Sequence, residues 1–188
     1  MTNYLLAGGG TGGHVNPLLA LAERIRAIEP DSRVFALGTS EGLEAKLVPE
    51  RGFELLTVDR LPFPRKPSLY AIRFPGRFLA AVKQIQKMIS EGNIDVVVGF
   101  GGYASAPAYV AARRSRIPYV IHEANALPGL ANKLGAKNAS AVAVAFASTK
   151  LRNAQLVGMP LRVEIESAIS RSDKRESRLA LGLQPDVA

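Results

Sequence analysis

Near its start the chain runs Tyr4-Leu5-Leu6-Ala7 straight into Gly8-Gly9-Gly10-Thr11-Gly12-Gly13-His14-Val15-Asn16-Pro17. Four apolar residues suit a short buried strand, and the glycines after them suit a tight turn that feeds a helix. Asn16 offers a capping side chain, and Pro17 suits the first helical position, where its missing N–H would be unpaired anyway. Strand, glycine turn and helix in that order make the first unit of a doubly wound domain. Outward from this unit the alternation continues. Strands are expected at 4–7, 33–37, 54–58, 95–98, 119–121, 141–145 and 155–157, with helices at 17–28, 43–50, 77–90, 106–114 and 129–137. In the first helix Leu18, Leu21, Ala22, Ile25 and Ile28 recur at helical spacing. The fold class is therefore α/β with a Rossmann-like, doubly wound parallel sheet, and ligands are expected beyond the carboxyl ends of its strands. After Val157 the pattern changes: residues 157–162 are turn-like, and the charged run 170–178 precedes a short helical end at 179–181. This divides the chain into a domain at 1–160 and a linker at 161–188.

The first turn holds five glycines between Gly8 and Gly13, more than the one or two that a simple turn needs. Bare N–H groups at a helix N-terminus make an anion site in outline. A tight turn without a ligand is the plainer alternative. Gly8, Gly10 and Gly13 also satisfy the dinucleotide fingerprint G-x-G-x-x-G. The acid that should follow the second strand to hold a ribose is replaced by Gly38-Thr39-Ser40, with Glu41 the nearest carboxylate. A nicotinamide-dependent oxidoreductase is thus disfavoured but open. A P-loop is excluded, because His14-Val15 stands where Lys and Ser or Thr are required. His14, where turn meets helix, belongs to the residue type suited to taking a proton from a hydroxyl, with a polar turn residue as the alternative.

A second buried strand runs into Gly99-Phe100-Gly101-Gly102-Tyr103-Ala104-Ser105-Ala106-Pro107, another glycine turn before a helix. Two helix N-termini with exposed amides suit a diphosphate. Ser105 reads as a helix cap or a ligand contact, and Tyr103 as a surface aromatic or a stacking platform. The next strand ends in Ile121-His122-Glu123-Ala124-Asn125, whose polar side chains need partners, from a structural network or from a ligand. A metal centre is disfavoured, since His122-Glu123 lacks a second histidine at helical spacing and no Asp-x-Asp pair occurs.

With 188 residues and 47% hydrophobic content the chain can bury one full core. Zero cysteines exclude a disulfide framework, thiolate catalysis and Cys-based zinc, and two histidines leave little for a His-rich metal centre. No stretch approaches the roughly 18 apolar residues of a membrane span, and no basic leader opens the chain, so a cytoplasmic location is expected. The formal charge of +8 is uneven: from Arg60 to Met88 stand seven basic residues and no acidic one. Such a segment suits nucleic acid, anionic lipid or a phosphorylated ligand. Nucleic acid is disfavoured for want of any recognition motif. A non-enzymatic anion-binding module stays open.

Taken together, AGGGTGGHVNP at 7–17, GFGGYASAP at 99–107, IHEANALPGLANK at 121–133 and VGMPLR at 157–162 resemble, in order and spacing, the acceptor domain of the MurG family of lipid I N-acetylglucosaminyltransferases. Ala124 stands where that family often has glutamine. The resemblance implies one domain of a two-domain GT-B glycosyltransferase, in which this half takes the lipid-linked acceptor and a second half takes UDP-N-acetylglucosamine. The chain would then be inactive alone, ending at 185–188 where the second domain should begin. The implied reaction is inverting transfer of N-acetylglucosamine to the C4 hydroxyl of the N-acetylmuramyl group, giving lipid II, with no cofactor and no metal. Thr11, Gly12, Gly13, Asn125 and Arg162 would touch the sugar nucleotide. Gly10, Gly13, His14, Gly101, Gly102, Tyr103 and Ser105 would hold the acceptor diphosphate, with His14 as first choice of base and Glu123 as second. An enzyme acting on a lipid-anchored diphosphate must reach the inner membrane from its cytoplasmic face. The basic segment supplies a candidate surface of Arg65, Lys66, Leu69, Tyr70, Ile72, Arg73, Phe74, Arg77 and Phe78, with Leu61 and Phe63 beside it. A loop and helix with core apolar residues and solvated charges is the alternative for that segment.

Overall fold

The computed structural model describes residues 1–171 and 174–184. In chain order the elements are β1 Asn3–Ala7, α1 Gly12–Ile28, β2 Arg33–Gly38, α2 Glu44–Glu50, β3 Glu54–Thr57, α3 Leu69–Glu91, β4 Val96–Gly99, α4 Ser105–Arg114, β5 Tyr119–Glu123, α5 Leu130–Gly135, β6 Ala141–Val144, β7 Ala154–Leu156, α6 Val163–Arg171 and α7 Lys174–Ala180. Each expected strand is present. All pairings are parallel, in the order β3-β2-β1-β4-β5-β6-β7. The winding reverses between β1 and β4, so the turns after these two neighbouring strands open a crevice at the carboxyl edge of the sheet.

Alternate side chains of the central strands enter two cores, as the period of a strand requires. Leu5 and Ala7 of β1, Phe35 and Leu37 of β2 and Val97 of β4 pack with Val82, Ile85 and Ile89 of α3 and the alanines of α4. Leu6, Ala36 and Val98 point the other way, onto Val15, Leu18, Leu19 and Ala22 of α1 and Val48 of α2. Covered on both faces, β1 and β4 read as continuous apolar runs.

Three local expectations are corrected. Helix α1 begins at Gly12, with Thr11 in extended conformation as its N-cap, so Asn16 caps nothing and Pro17 lies inside the helix. Gly12 and Gly13 take up helical geometry, and Pro17 merely removes the N–H that would have reached the Gly13 carbonyl. Helix α3 begins at Leu69 instead of residue 77, because the Ser68 hydroxyl accepts from the Ala71 N–H and caps it, while Pro75 is carried within. Aromatic packing supports this early turn: Phe74 lies 5.5 Å from Phe63, 6.0 Å from Tyr70 and 5.8 Å from Phe78 between ring centroids. The segment after Leu161 contains two helices where a charged linker with a short helical end is expected. No residue of α7 is buried, and α6 approaches the body of the domain through Glu164, 3.9 Å from Arg51. Ser172, Asp173 and the expected start of a further domain at 185–188 lie outside the described residues.

One buried polar chain ties α4 and α5 to the sheet. Tyr109 of α4 donates its hydroxyl to Asn132 Oδ1 at 2.7 Å, and Asn132 Nδ2 donates to Glu123 Oε2 at 2.9 Å. Asn132 is fully buried and burial pushes the Tyr109 phenol above its ordinary range, so this hydroxyl acts as a neutral donor. Replacing Tyr109 with phenylalanine leaves Asn132 Oδ1 buried without its donor. Urea unfolding of Tyr109→Phe is expected to show a loss of about 1–3 kcal/mol with an unchanged m-value.

Candidate functional site

Where the winding reverses lies a cleft of about 790 Å³. Its walls are the glycine turn after β1, the end of β2, the basic segment after β3, the glycine turn after β4 and the loop leading from β5 into α5. The two glycine turns touch. Gly102 has φ of 82°, and a Cβ placed on it would stand 2.5 Å from the Gly9 carbonyl oxygen, so no other residue fits there without moving backbone.

His14 sits in the first turn of α1, half-buried, with its ring edge on the cleft. Its Nδ1 lies 3.1 Å from the Gly9 carbonyl oxygen and 3.2 Å from Thr11 Oγ1. A carbonyl only accepts, so in this arrangement Nδ1 carries a proton, and in the neutral form of the ring the lone pair is on Nε2. A Cβ on Gly101 would come within 3.0 Å of that Nε2, which places the lone pair over the second glycine turn.

Glu123 closes β5 and is only 1% exposed. Its Oε1 accepts from the N–H and the side-chain amide of Asn125, and its Oε2 from the Gly129 N–H and Asn132 Nδ2, all at 2.9 Å. Four donors occupy the carboxylate, which organises the loop into α5. Asn125, exposed, is oriented by this contact. His122 beside it turns to the other face, where Nε2 contacts the Gly158 carbonyl at 2.9 Å and ties the segment after β7 to β5.

The remaining candidates divide by what their polar groups already do. Ser105 is fully buried; its hydroxyl donates toward the Ala7 and Gly101 carbonyls at 2.9 and 2.7 Å and accepts from the Gly101 N–H at 3.1 Å. It staples the second glycine turn to β1 and shows no surface to the cleft. The Gly10 N–H is likewise engaged, donating to Glu44 Oε2 at 2.9 Å. Gly12 and Gly13, as the first residues of α1, have N–H groups with no helical carbonyl behind them, which makes these the candidate anion donors of the first turn, although neither residue lines the cleft. Tyr103 lines the cleft with the Arg60 guanidinium 5.1 Å from its ring centroid, and Arg65 lines the same cleft. Arg162 precedes α6 and is not among the residues lining the cleft.

In the basic segment Leu69 and Ile72 are 62% and 78% exposed, and Lys66 and Arg73 are exposed beside them. Tyr70, Phe74 and Phe78 are half-buried in the aromatic row, and the Tyr70 hydroxyl donates to the Pro62 carbonyl at 2.7 Å. Leu61 is core, at 2% exposure. Arg77 pairs with Asp59 at 3.1 Å.

Sequence reasoning missed Glu44, which is 1% exposed. Its Oε1 accepts from the Thr39 N–H and hydroxyl at 2.9 and 2.8 Å while Oε2 holds Gly10. A Cβ on Gly9, Gly38 or Gly42 would lie within 2.3, 2.4 or 2.1 Å of this side chain, so three glycines from two turns make its space. Burial works to raise the carboxyl's pKa, but donation from the Gly10, Glu44 and Thr39 N–H groups and the Thr39 hydroxyl reverses it and holds the group below its ordinary value.

Residues 4–144 match the glycosyltransferase family 28 N-terminal domain. The chain belongs to that family. It is 60% identical over 187 residues to the UDP-N-acetylglucosamine–N-acetylmuramyl-(pentapeptide) pyrophosphoryl-undecaprenol N-acetylglucosamine transferase of Clavibacter sepedonicus, covering 99% of this chain and 51% of the relative. The enzyme of the same name from Leifsonia xyli subsp. xyli is 56% identical over 187 residues, covering 99% and 52%. Among solved structures, Acinetobacter baumannii MurG superposes with a TM-score of 0.73 at 28% identity, over 88% of this chain and 47% of that one. These findings agree with the family read from the four motifs. The chain spans about half the length of the curated relatives it matches.

Two expectations follow from this geometry. Gly102→Ala must accommodate both a positive φ and the 2.5 Å contact with Gly9, so thermal unfolding is expected to show a loss of about 2 kcal/mol or more. Glu44, with its folded pKa depressed, stabilises the fold fully above its unfolded value near 4.5 and loses that contribution as pH falls through the lower folded value. Acid titration of Glu44→Gln is expected to show lower stability at neutral pH and a shallower decline below about pH 4.5.

Proposed function

We propose that this chain is the acceptor-binding half of an inverting transferase that moves N-acetylglucosamine from UDP-N-acetylglucosamine to the C4 hydroxyl of the N-acetylmuramyl group of lipid I, producing lipid II. The observation that carries the reading is His14, a lining residue of the cleft whose Nδ1 is engaged by the Gly9 carbonyl while Nε2 lies beside Gly101, another lining residue. Nε2 accepts the C4 hydroxyl proton as the oxygen attacks the anomeric carbon of the donor; the bond from that carbon to the UDP oxygen breaks, and the configuration inverts. The names of the related enzymes support the substrates, and their length, about twice this chain, supports a second half that binds the nucleotide. Residues 1–160 then form the acceptor domain and 161–188 lead out of it.

Beside the cleft, at the start of α1, the open N–H groups of Gly12 and Gly13, with Arg60 and Arg65 on the cleft wall, suit the acceptor diphosphate. Tyr103 offers its ring to the sugar, and Gly101 and Gly102 let the backbone come close. Thr11, on the cleft lining, and Asn125, held by Glu123, are both exposed and available to the donor sugar nucleotide. Glu123 serves as the organiser of Asn125 and α5, which favours His14 over it as the base.

The same reading places the chain peripherally on the cytoplasmic face of an anionic membrane. Leu69 and Ile72 are the exposed apolar residues of the first turn of α3, and the exposed Arg65, Lys66 and Arg73 stand within a few residues of them in the chain. Among the described residues no helix is long and apolar enough to cross a membrane. Shallow insertion of these side chains with about 1 kcal/mol from each nearby basic residue gives reversible attachment.

In the full-length enzyme, His14→Ala is expected to lower kcat by about 10²- to 10⁴-fold with the fold intact, measured as transfer to a lipid I analogue. Near-normal turnover in His14→Ala alongside a dead Glu123→Ala would move the base to Glu123. For the membrane, co-sedimentation is expected only with anionic vesicles, weakening as salt rises and when Arg65, Lys66 and Arg73 become glutamine. Equal binding to neutral vesicles overturns that part.

A further inference from the structure

The peptide group between Gly9 and Gly10 is held at both ends. Its carbonyl oxygen lies 3.1 Å from His14 Nδ1, and its N–H donates to Glu44 Oε2 at 2.9 Å. The far oxygen of that carboxylate is itself held, by the Thr39 N–H and hydroxyl. We propose that Glu44 is a positioning residue for His14, acting through the intervening peptide group, so that carboxylate, amide and imidazole form one hydrogen-bonded chain leading to the cleft. The inference rests on the reading of His14 as the base.

Hydrogen bonds in series polarise one another. A carboxylate accepting from the amide N–H pushes electron density toward the amide oxygen, and that oxygen then accepts more strongly from Nδ1–H. Two effects on the ring follow. The tautomer with the Nε2 lone pair is favoured before the reaction, and the imidazolium is stabilised once Nε2 has taken the hydroxyl proton. Nδ1 keeps its own proton throughout and Glu44 stays ionised. The logic is that of a carboxylate placed directly against a catalytic imidazole, with one peptide group interposed.

Geometry makes the chain stiff. The Gly9 carbonyl is packed against Gly102, and the Glu44 side chain fills a space cleared by Gly9, Gly38 and Gly42. A carboxylate at 1% exposure is a costly way merely to hold a turn, and one of the donors that keep it ionised, the Gly10 N–H, belongs to the peptide group that meets the ring. Other charged or titratable residues line the same cleft as His14: Glu41, Arg60, Arg65, Tyr103 and Glu123. Of the carboxylates among these and Glu44, Glu44 is the one hydrogen-bonded to the peptide that holds Nδ1.

The chain has only two histidines, so nitrogen-detected NMR can follow the His14 ring in the 188-residue protein, assigned with His14→Gln. Wild type is expected to show the Nδ1–H tautomer, with the Gly10 amide resonance titrating at the same midpoint as the ring. In Glu44→Gln the tautomers should mix and the ring midpoint should move to lower pH. In the full-length enzyme the acid limb of kcat should move the same way, with kcat down about tenfold and KM for both substrates within about twofold. Thr39→Val, which disturbs the same carboxylate but keeps its charge, should lower stability and leave the limb in place. A Glu44→Gln protein with the wild-type tautomer and an unmoved limb overturns the proposal. So does a wild-type Gly10 amide that ignores ring protonation, a test that stands even if Glu44→Gln fails to fold. Absence of transfer by the full-length wild type would instead sink the reaction assigned above, while the NMR still decides the coupling.

Discussion

Contact between two glycine turns is the constraint on which the site depends. The turn after β1 and the turn after β4 are neighbours because the sheet reverses its winding between these strands, and they can meet only because Gly102 presents no Cβ to the Gly9 carbonyl. From that contact come the orientation of the Gly9–Gly10 peptide, the anchoring of His14 Nδ1 and the placement of Nε2 over Gly101. Glu44 under the first turn and Ser105 under the second fix each loop from the protein side. The cleft side is left for a ligand.

Buried carboxylates do much of this organising. Glu44 and Glu123 are each 1% exposed and each is surrounded by donors. A buried charge is tolerated when its lone pairs are met, and here the donors are mainly backbone N–H groups and amide side chains of irregular loops. Such loops would otherwise carry unpaired N–H groups of their own. Each carboxylate therefore rigidifies the loop whose donors neutralise it, and both loops border the cleft.

The residues of the basic segment after β3 divide among several places in the fold. Arg60 and Arg65 line the cleft, Arg77 is paired with Asp59, and Lys66 and Arg73 stand at the exposed start of α3. Its aromatic residues build an internal row, so net charge and apolar content alone do not tell which residues meet a partner. The Ser68 cap and the aromatic row explain why α3 starts eight residues before the helix expected from residue 77.

By itself the sequence determined the strand positions, the parallel α/β class and the two glycine turns, because these depend on local apolar runs and on residues with no Cβ. His14, Tyr103 and Glu123 stood out as candidates for a related reason, each following or closing a strand end. Tertiary structure decided what those residues do. Glu123 proved to be saturated by four donors and Ser105 to be sealed beneath a turn. Glu44 and Asn132 gave no sequence signal, since a carboxylate in the first turn of a helix and an amide within a short one are ordinary surface residues until another segment packs over them. The cage around Glu44 joins Gly9 to Gly38 and Gly42, and the link from Glu44 to His14 crosses about thirty residues of chain. Proximity of that kind is set by strand order, which brings β1, β2 and β4 side by side, and by no local preference of the residues involved.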